Sequence, residues 1–279
     1  MTKPAAETKE VRVHPTALVH PSVEFDTGVA VGPYSVIGEG VRIGRDTWVG
    51  PHVVIEERTS IGKNCKVFQF TSIGAPPQDI GYKGEETETV IGDNNIIREF
   101  VTIHRGTARG KGKTVCGDDN LFMNYVHIAH DCEVGNDVIV ANAATFAGHV
   151  TVEDHAIVGG LVPIHQYVRI GAYSMVGGAS AVSKDVPPYV MAVGNRAHIF
   201  GLNAVGLRRQ GFSRADIKEI KKWYNILFRS HLKMKEAVEK LKSEAGDSVH
   251  AKRFIEFIEK STRGVMRERI KVRPEGEEG

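Results

Sequence analysis

The 279-residue chain has little of what would place it in a membrane or outside a cell. No apolar run approaches the roughly 18 residues that a membrane-spanning helix requires. The amino terminus, MTKPAAETKE, has no apolar stretch, so it does not read as a secretory signal. Cysteine is scarce: Cys65, Cys116 and Cys132 make an odd count, which fits a reducing cytoplasm better than a disulfide framework. Charge of either sign is nearly balanced at +2, so the total gives no argument for nucleic acid or a membrane surface. Apolar residues at 41% and charged residues at 25% are ordinary for a globular protein.

What the chain has is glycine, 30 residues of it, and a period. Val13, Val19, Phe25, Val31, Ile37, Ile43, Val49, Ile55, Ile61, Val67 and Ile73 recur every six residues. The same period returns at Ile91, Ile97 and Ile103, then from Cys116 to Val182 one residue out of phase. Four residues after each apolar position stands a small or β-branched residue, with Asn120 the exception in the second run. A helix needs a period near 3.6 and a half-buried strand a period of two. A period of six fits a hexapeptide-repeat parallel β-helix, in which three repeats make a coil of 18 residues. Stacked coils lie about 4.8 Å apart, and each contacts only its neighbours. The apolar residues, including all three cysteines, are expected to face inward. The glycines that follow them are expected to ease tight corners, where φ can be positive.

The period places a solenoid over 11–195, with polar loops at 74–90 and 104–115. Residues projecting from a rigid scaffold often bind ligands; a merely solvated Gly/Lys/Arg run is the plain alternative for the second loop. Pro187 and Pro188 are expected to end the ladder. A carboxy-terminal α-helical domain is expected over 196–264, with helices at 213–228, 233–245 and 248–262. Ser213 and Asp216 read as the first of its caps. Residues 1–10 and 265–279 read as flexible. Residues 208–242 carry eleven basic side chains against four acidic ones, either a solvated face or a dock for an acidic partner.

Six of the twelve histidines lie between positions 104 and 165. Residues 18 apart stack, so Asp131 lies under His149 and His130 under Gly148, with His165 one coil above Ala147. His130, Asp131, Gly148, His149 and His165 should therefore cluster. Such a cluster suits general-base chemistry: an imidazole oriented by a carboxylate, with a backbone N–H for an oxyanion. No serine or cysteine is forced as nucleophile, which favours direct attack by a substrate hydroxyl or amine on an acyl donor. The rival is a zinc site held by three histidines.

The ladder together with HIAHD, ATFAGHV, TIHRGT, Gln78-Asp79, DVPPYV and RRQGFSR resembles the UDP-N-acetylglucosamine O-acyltransferase family over residues 11–266. The resemblance implies a mainly β fold, a left-handed parallel β-helix followed by a C-terminal helical domain, and a homotrimer with sites between subunits. It implies the first step of lipid A biosynthesis. An (R)-3-hydroxyacyl group would pass from acyl carrier protein to the glucosamine 3-hydroxyl of UDP-N-acetylglucosamine, with no cofactor or metal beyond the carrier's phosphopantetheine. By resemblance His130 is the base, Asp131 orients it and the Gly148 amide holds the oxyanion. Gln78, Asp79, His104, His127, His149, His165 and Gln166 would position substrate, Asn203 and Arg209 would meet the nucleotide, and Gly178 would set acyl length. The acidic carrier gives the basic 208–242 face a partner. Gly81, Val205 and Gln210 depart from residues common in the family, which leaves a 3-amino acceptor open. The sibling N-acyltransferase, a γ-carbonic-anhydrase-type hydratase and a purely structural solenoid are the other readings.

Overall fold

A computed structural model describes residues 10–268. The expected flexibility of residues 1–9 and 269–279 lies outside the described residues. Two-residue strands such as Val36–Ile37, Arg42–Ile43 and Trp48–Val49 pass in turn to three different sheets. Each pairs in parallel with the strand one coil further on: Ile37 with Ile55, Ile43 with Ile61, Val49 with Val67. That is the 18-residue coil of the period. The second residue of these strands is buried and the first faces out, so burial follows the sixfold ladder. Each fully buried valine or isoleucine contributes about 1.5–3 kcal/mol relative to an exposed one. The three cysteines do point inward, and burial pushes the Cys65 thiol up to about 11.

Partners are 30 residues apart between Ile61 and Ile91, and 25 apart between Ile91 and Cys116. The two excursions therefore add twelve and seven residues to the 18-residue coil. Twelve preserves the period and seven shifts it by one, which explains the change of phase at Cys116. Strands extend further into both loops than the sequence suggests, through Ser72–Ala75, Glu88–Ile91, Thr102–His104 and Lys113–Cys116. Asn120 faces inward despite being polar: its Oδ1 accepts the Val138 N–H at 2.8 Å, and its own N–H donates to Asn95 Oδ1 at 3.0 Å.

Most glycines that follow an inward residue play a different part from the one expected. Gly32 and Gly44 do not have positive φ, although Gly74 does (φ 82°); Gly28 and Gly40 turn two corners, but most are turned by non-glycine residues, among them Asp131 (φ 59°) and His149 (φ 63°). Gly44 is needed because the next coil passes so close that a Cβ there would lie 2.6 Å from the Gly62 carbonyl carbon.

Pro187 and Pro188 do not end the sheet. Val190–Val193 pairs in parallel with Met175–Val176, and His198–Leu202 returns antiparallel to it. The helical region thus begins after Leu202 rather than at 196. It contains a short helix the period gave no sign of, α1 (Ala204–Arg209), then α2 (Arg214–Arg229), α3 (Met234–Glu244) and α4 (Val249–Glu259). The Ser213–Asp216 capping box that starts α2 is formed. Buried Trp223, Tyr224, Leu241 and Phe254 make these helices pack on one another. Residues 265–268 are not loose, because the Met266 N–H donates to Asp185 O at 2.8 Å and the Ile199 N–H to Arg267 O at 3.0 Å.

Candidate active site

Asp131 ends one coil's turn and His149 occupies the same position in the turn above. Both are left-handed corner residues, which directs their side chains along one edge of the prism. The Asp131 carboxylate is fully buried. Its Oδ2 accepts from His130 Nδ1 at 2.8 Å and from the Thr107 hydroxyl at 2.6 Å; its Oδ1 accepts from the Lys111 N–H at 2.7 Å and the Thr107 N–H at 3.1 Å. Burial alone would raise its pKa. The bonds from His130, Thr107 and Lys111 outweigh that and hold the carboxyl well below the usual carboxylate range.

An ionised carboxylate only accepts, so His130 Nδ1 carries a proton, and in the neutral imidazole Nε2 then keeps its lone pair. Nε2 faces the turn above: a Cβ on Gly148 would lie 2.7 Å from it. Only glycine lets the imidazole lie against this turn. The Gly148 carbonyl accepts the Tyr167 N–H, while its own N–H makes no hydrogen bond among the described residues. A base nitrogen and an unused backbone donor therefore adjoin each other. His149 Nε2 is 3.8 Å from Asp131 Oδ2, and its ring meets His130 edge-on at 5.2 Å. Desolvation, with the nearby His130, lowers the His149 pKa despite Asp131 and Asp79, which oppose the shift.

His104 and His127 lie beside this pair, their rings 4.9 Å apart. Thr102 Oγ1 meets His127 Nδ1 at 2.7 Å. Burial and the neighbouring histidines push His104 down to about 4, and lower His127 too, so His104 is neutral near pH 7.

His130, Asp131 and His149 offer donor atoms within 4.8 Å of one another, a spacing that admits a metal ion. The chemistry of that set fits one poorly. Both Asp131 oxygens are already engaged by hydrogen bonds, and His130 Nδ1 is spent on one of them.

A hexapeptide-transferase family model of six repeats matches residues 113–148. A second model, described as UDP N-acetylglucosamine O-acyltransferase, domain 2, matches 185–266. The acyl-[acyl-carrier-protein]–UDP-N-acetylglucosamine O-acyltransferase of Thermodesulfovibrio yellowstonii is 56% identical, covering 91% of this chain and 99% of its own. The chain belongs to the UDP-N-acetylglucosamine O-acyltransferase family. The Herminiimonas arsenicoxydans member is 53% identical over the same shares of both chains. The solved Francisella novicida UDP-N-acetylglucosamine acyltransferase superposes with a TM-score of 0.90 at 42% identity, covering 92% of this chain and 94% of its own.

Of the residues the family resemblance implied, His130, Asp131, Gly148 and His149 meet, with His104 and His127 adjoining them. Asp79 lies near enough to act on His149, and its Oδ1 accepts the Gly81 N–H at 2.8 Å. Gln78 is exposed on the same loop. His165 sits one coil above Ala147, as the spacing required, but does not join the cluster. It is exposed, with its Nδ1 3.2 Å from the Gln166 carbonyl. The place above His149 goes instead to Tyr167, stacked on it at 4.5 Å, because Tyr167 is the residue 18 further on. Asn203 is buried as the cap of α1: its Oδ1 accepts the Gly206 N–H at 3.1 Å and its Nδ2 donates to Tyr173 O at 3.0 Å. Its side chain is spent on the fold, whereas Arg209 is exposed. Gly178 has room for a side chain: the nearest atom to a built Cβ is the Gly160 carbonyl oxygen at 3.4 Å.

Sequence reasoning missed Thr107, Gly110 and Lys111. Residues 105–112 are no merely solvated run. Thr107 is buried, and a Cβ on Gly110 would collide with the Asp131 carboxyl. Buried Arg105 anchors the segment, donating through Nε to Gly74 O at 2.7 Å and through Nη1 to Glu57 at 2.6 Å. The motif TIHRGT held the signal, but nothing in its spacing tells Thr107 to reach Asp131.

Proposed function

We propose that this family member transfers an (R)-3-hydroxyacyl group from acyl carrier protein to the glucosamine 3-hydroxyl of UDP-N-acetylglucosamine, the first step of lipid A biosynthesis, through His130. The observation that carries the reading is the ionised, fourfold-bonded Asp131 fixing His130 with Nε2 free beside the Gly148 N–H. Nε2 takes the proton of the 3-hydroxyl as its oxygen attacks the thioester carbon. The Gly148 N–H donates to the oxyanion that forms, and Asp131 stabilises the imidazolium. Collapse breaks the C–S bond, and the leaving phosphopantetheine thiolate takes the proton back from His130. No cofactor is consumed. Asp79, His104, His127, His149, His165 and Gln166 line the approach to the base, and Arg209 is the candidate for the nucleotide.

The carrier protein is acidic, and the 208–242 surface suits it. Lys222, Arg229 and Lys242 are paired with carboxylates, while the other eight of its eleven basic residues are exposed and unpaired among the described residues. A homotrimer is favoured by a column on a second prism edge. Tyr34, His52, Phe70, Phe100 and Tyr125 stack with ring centroids 4.9–5.3 Å apart, and the four aromatic residues are 42–59% exposed. Gly178 lies beside that edge further along, 48 residues or about 2.7 coils beyond His130, a rise of about 13 Å. An acyl chain running between the two edges would be enclosed once another copy packs there, and Gly178, lacking a side chain, would admit a long one. No helix among the described residues is long and apolar enough to cross a membrane, and three buried free thiols suit the cytoplasm.

The test is a transfer assay on chelator-treated protein with UDP-N-acetylglucosamine and a panel of 3-hydroxyacyl carrier proteins, read by mass spectrometry. A sugar nucleotide heavier by one hydroxyacyl group is expected from the wild type and none from His130→Ala, whose circular dichroism should be unchanged. Product only with a 3-amino sugar nucleotide would reassign the acceptor. Near-normal turnover by His130→Ala would remove His130 as the base.

A further inference from the structure

The two excursions from the solenoid meet at the rim of the site. Asp79 and Gly81 lie on the first, and Arg109 lies on the second, two residues after Thr107. A Cβ built on Gly81 would stand 2.8 Å from Arg109 Nη1, 3.0 Å from its Cζ and 3.2 Å from Asp79 Oδ1. The guanidinium thus fills the space that a side chain at position 81 would take. Gly81 does not have the positive φ that would demand glycine, so its bareness serves the arginine, not the backbone.

Arg109 is exposed and makes no hydrogen bond or ion pair among the described residues, although its charge reaches Glu85. Its backbone is nevertheless held. Gly110 lies against the Asp131 carboxyl, its N–H donates to Thr107 O at 3.1 Å, and the Lys111 N–H binds Asp131. On the other side Asp79 is close enough to bear on His149. A free planar cation is therefore mounted one residue from the clamp on the catalytic carboxylate. In a nucleoside-diphosphate sugar the diphosphate hangs from C1, two carbons from the hydroxyl that His130 must reach. Guanidinium suits phosphate oxygens because its N–H groups bind them in pairs.

We infer that Arg109 binds the diphosphate of the nucleotide sugar, and that Gly81 is the space kept for it. The inference rests on the acceptor proposed above. Its test is calorimetric binding of UDP-N-acetylglucosamine alone, alongside transfer kinetics. Arg109→Ala should raise Kd about tenfold, equivalent to about 1.4 kcal/mol, and flatten its dependence on salt. In transfer the loss should fall on KM for the sugar nucleotide and not on KM for the acyl donor. Adding Gly81→Lys to Arg109→Ala returns a cation to the same space and should recover most of the affinity. A Kd within twofold of wild type for Arg109→Ala overturns the role of Arg109, and no recovery in the double variant overturns the role of Gly81. A wild type that binds the sugar nucleotide but transfers nothing would sink the proposed reaction and leave this inference standing; one that does not bind it sinks both.

Discussion

At the scale of single residues, the site depends on who holds Asp131. A buried carboxylate without donors would take up a proton and cease to orient His130. Thr107 supplies two of its bonds, one from the hydroxyl and one from the backbone. Thr107→Val keeps the shape and removes the hydroxyl. Asp131 should then become more basic while remaining ionised near pH 7, so more of its charge acts on His130 and favours the imidazolium. The acid limb of the kcat–pH profile should move to higher pH, with kcat about tenfold lower, or about 1.4 kcal/mol in barrier. Thr107→Ser should restore both. A profile that does not move, with only the melting temperature reduced, would leave Thr107 a packing residue. The pairing of Asp131 with His149 was legible because both lie in a strict period. Thr107 was not, because it lies in an excursion where no period relates it to its partner.

At the scale of elements, a coil is a short strand, a corner and a near approach to the next coil. The apolar ladder and the spacing of partners were readable from the sequence alone, since each inward position repeats every six residues. The work of the glycines was not, since a glycine can answer either to φ or to space and only coordinates tell which. Gly44→Ala should therefore destabilise by about 1–3 kcal/mol, as overpacking does, because its Cβ would meet Gly62 backbone that cannot turn aside. Gly201→Ala, with nothing within 4 Å of its Cβ, is the control. Equal melting temperatures for the two would show that coils can part without cost. The same limit explains the end of the ladder. Pro187 and Pro188 read as a stop, yet they occupy a turn, and the chain pairs again at Val190–Val193.

At the scale of the whole molecule, two edges of one prism have different tasks. One carries Asp131, His149 and Tyr167; the other exposes the column from Tyr34 to Tyr125. Sedimentation should report a trimer, and Phe70→Glu should convert it to folded monomers with little transfer, because Phe70 is half exposed and folding within the chain does not need it. A monomeric wild type, or a trimer indifferent to Phe70→Glu, would place the interface elsewhere. The sequence by itself determined the coil: its length, its inward residues, the stacking of Asp131 under His149, and the start of the long helix at Ser213. It could do so because these are consequences of a repeat, in which local spacing and spatial neighbourhood are the same thing. The tertiary structure alone decided that residues 105–112 close over Asp131, that Arg109 fills the space beside Gly81, and that Asn203 is a cap. Those contacts join segments outside the repeat, where sequence spacing does not fix spatial neighbours, and they are settled only when the coils are stacked.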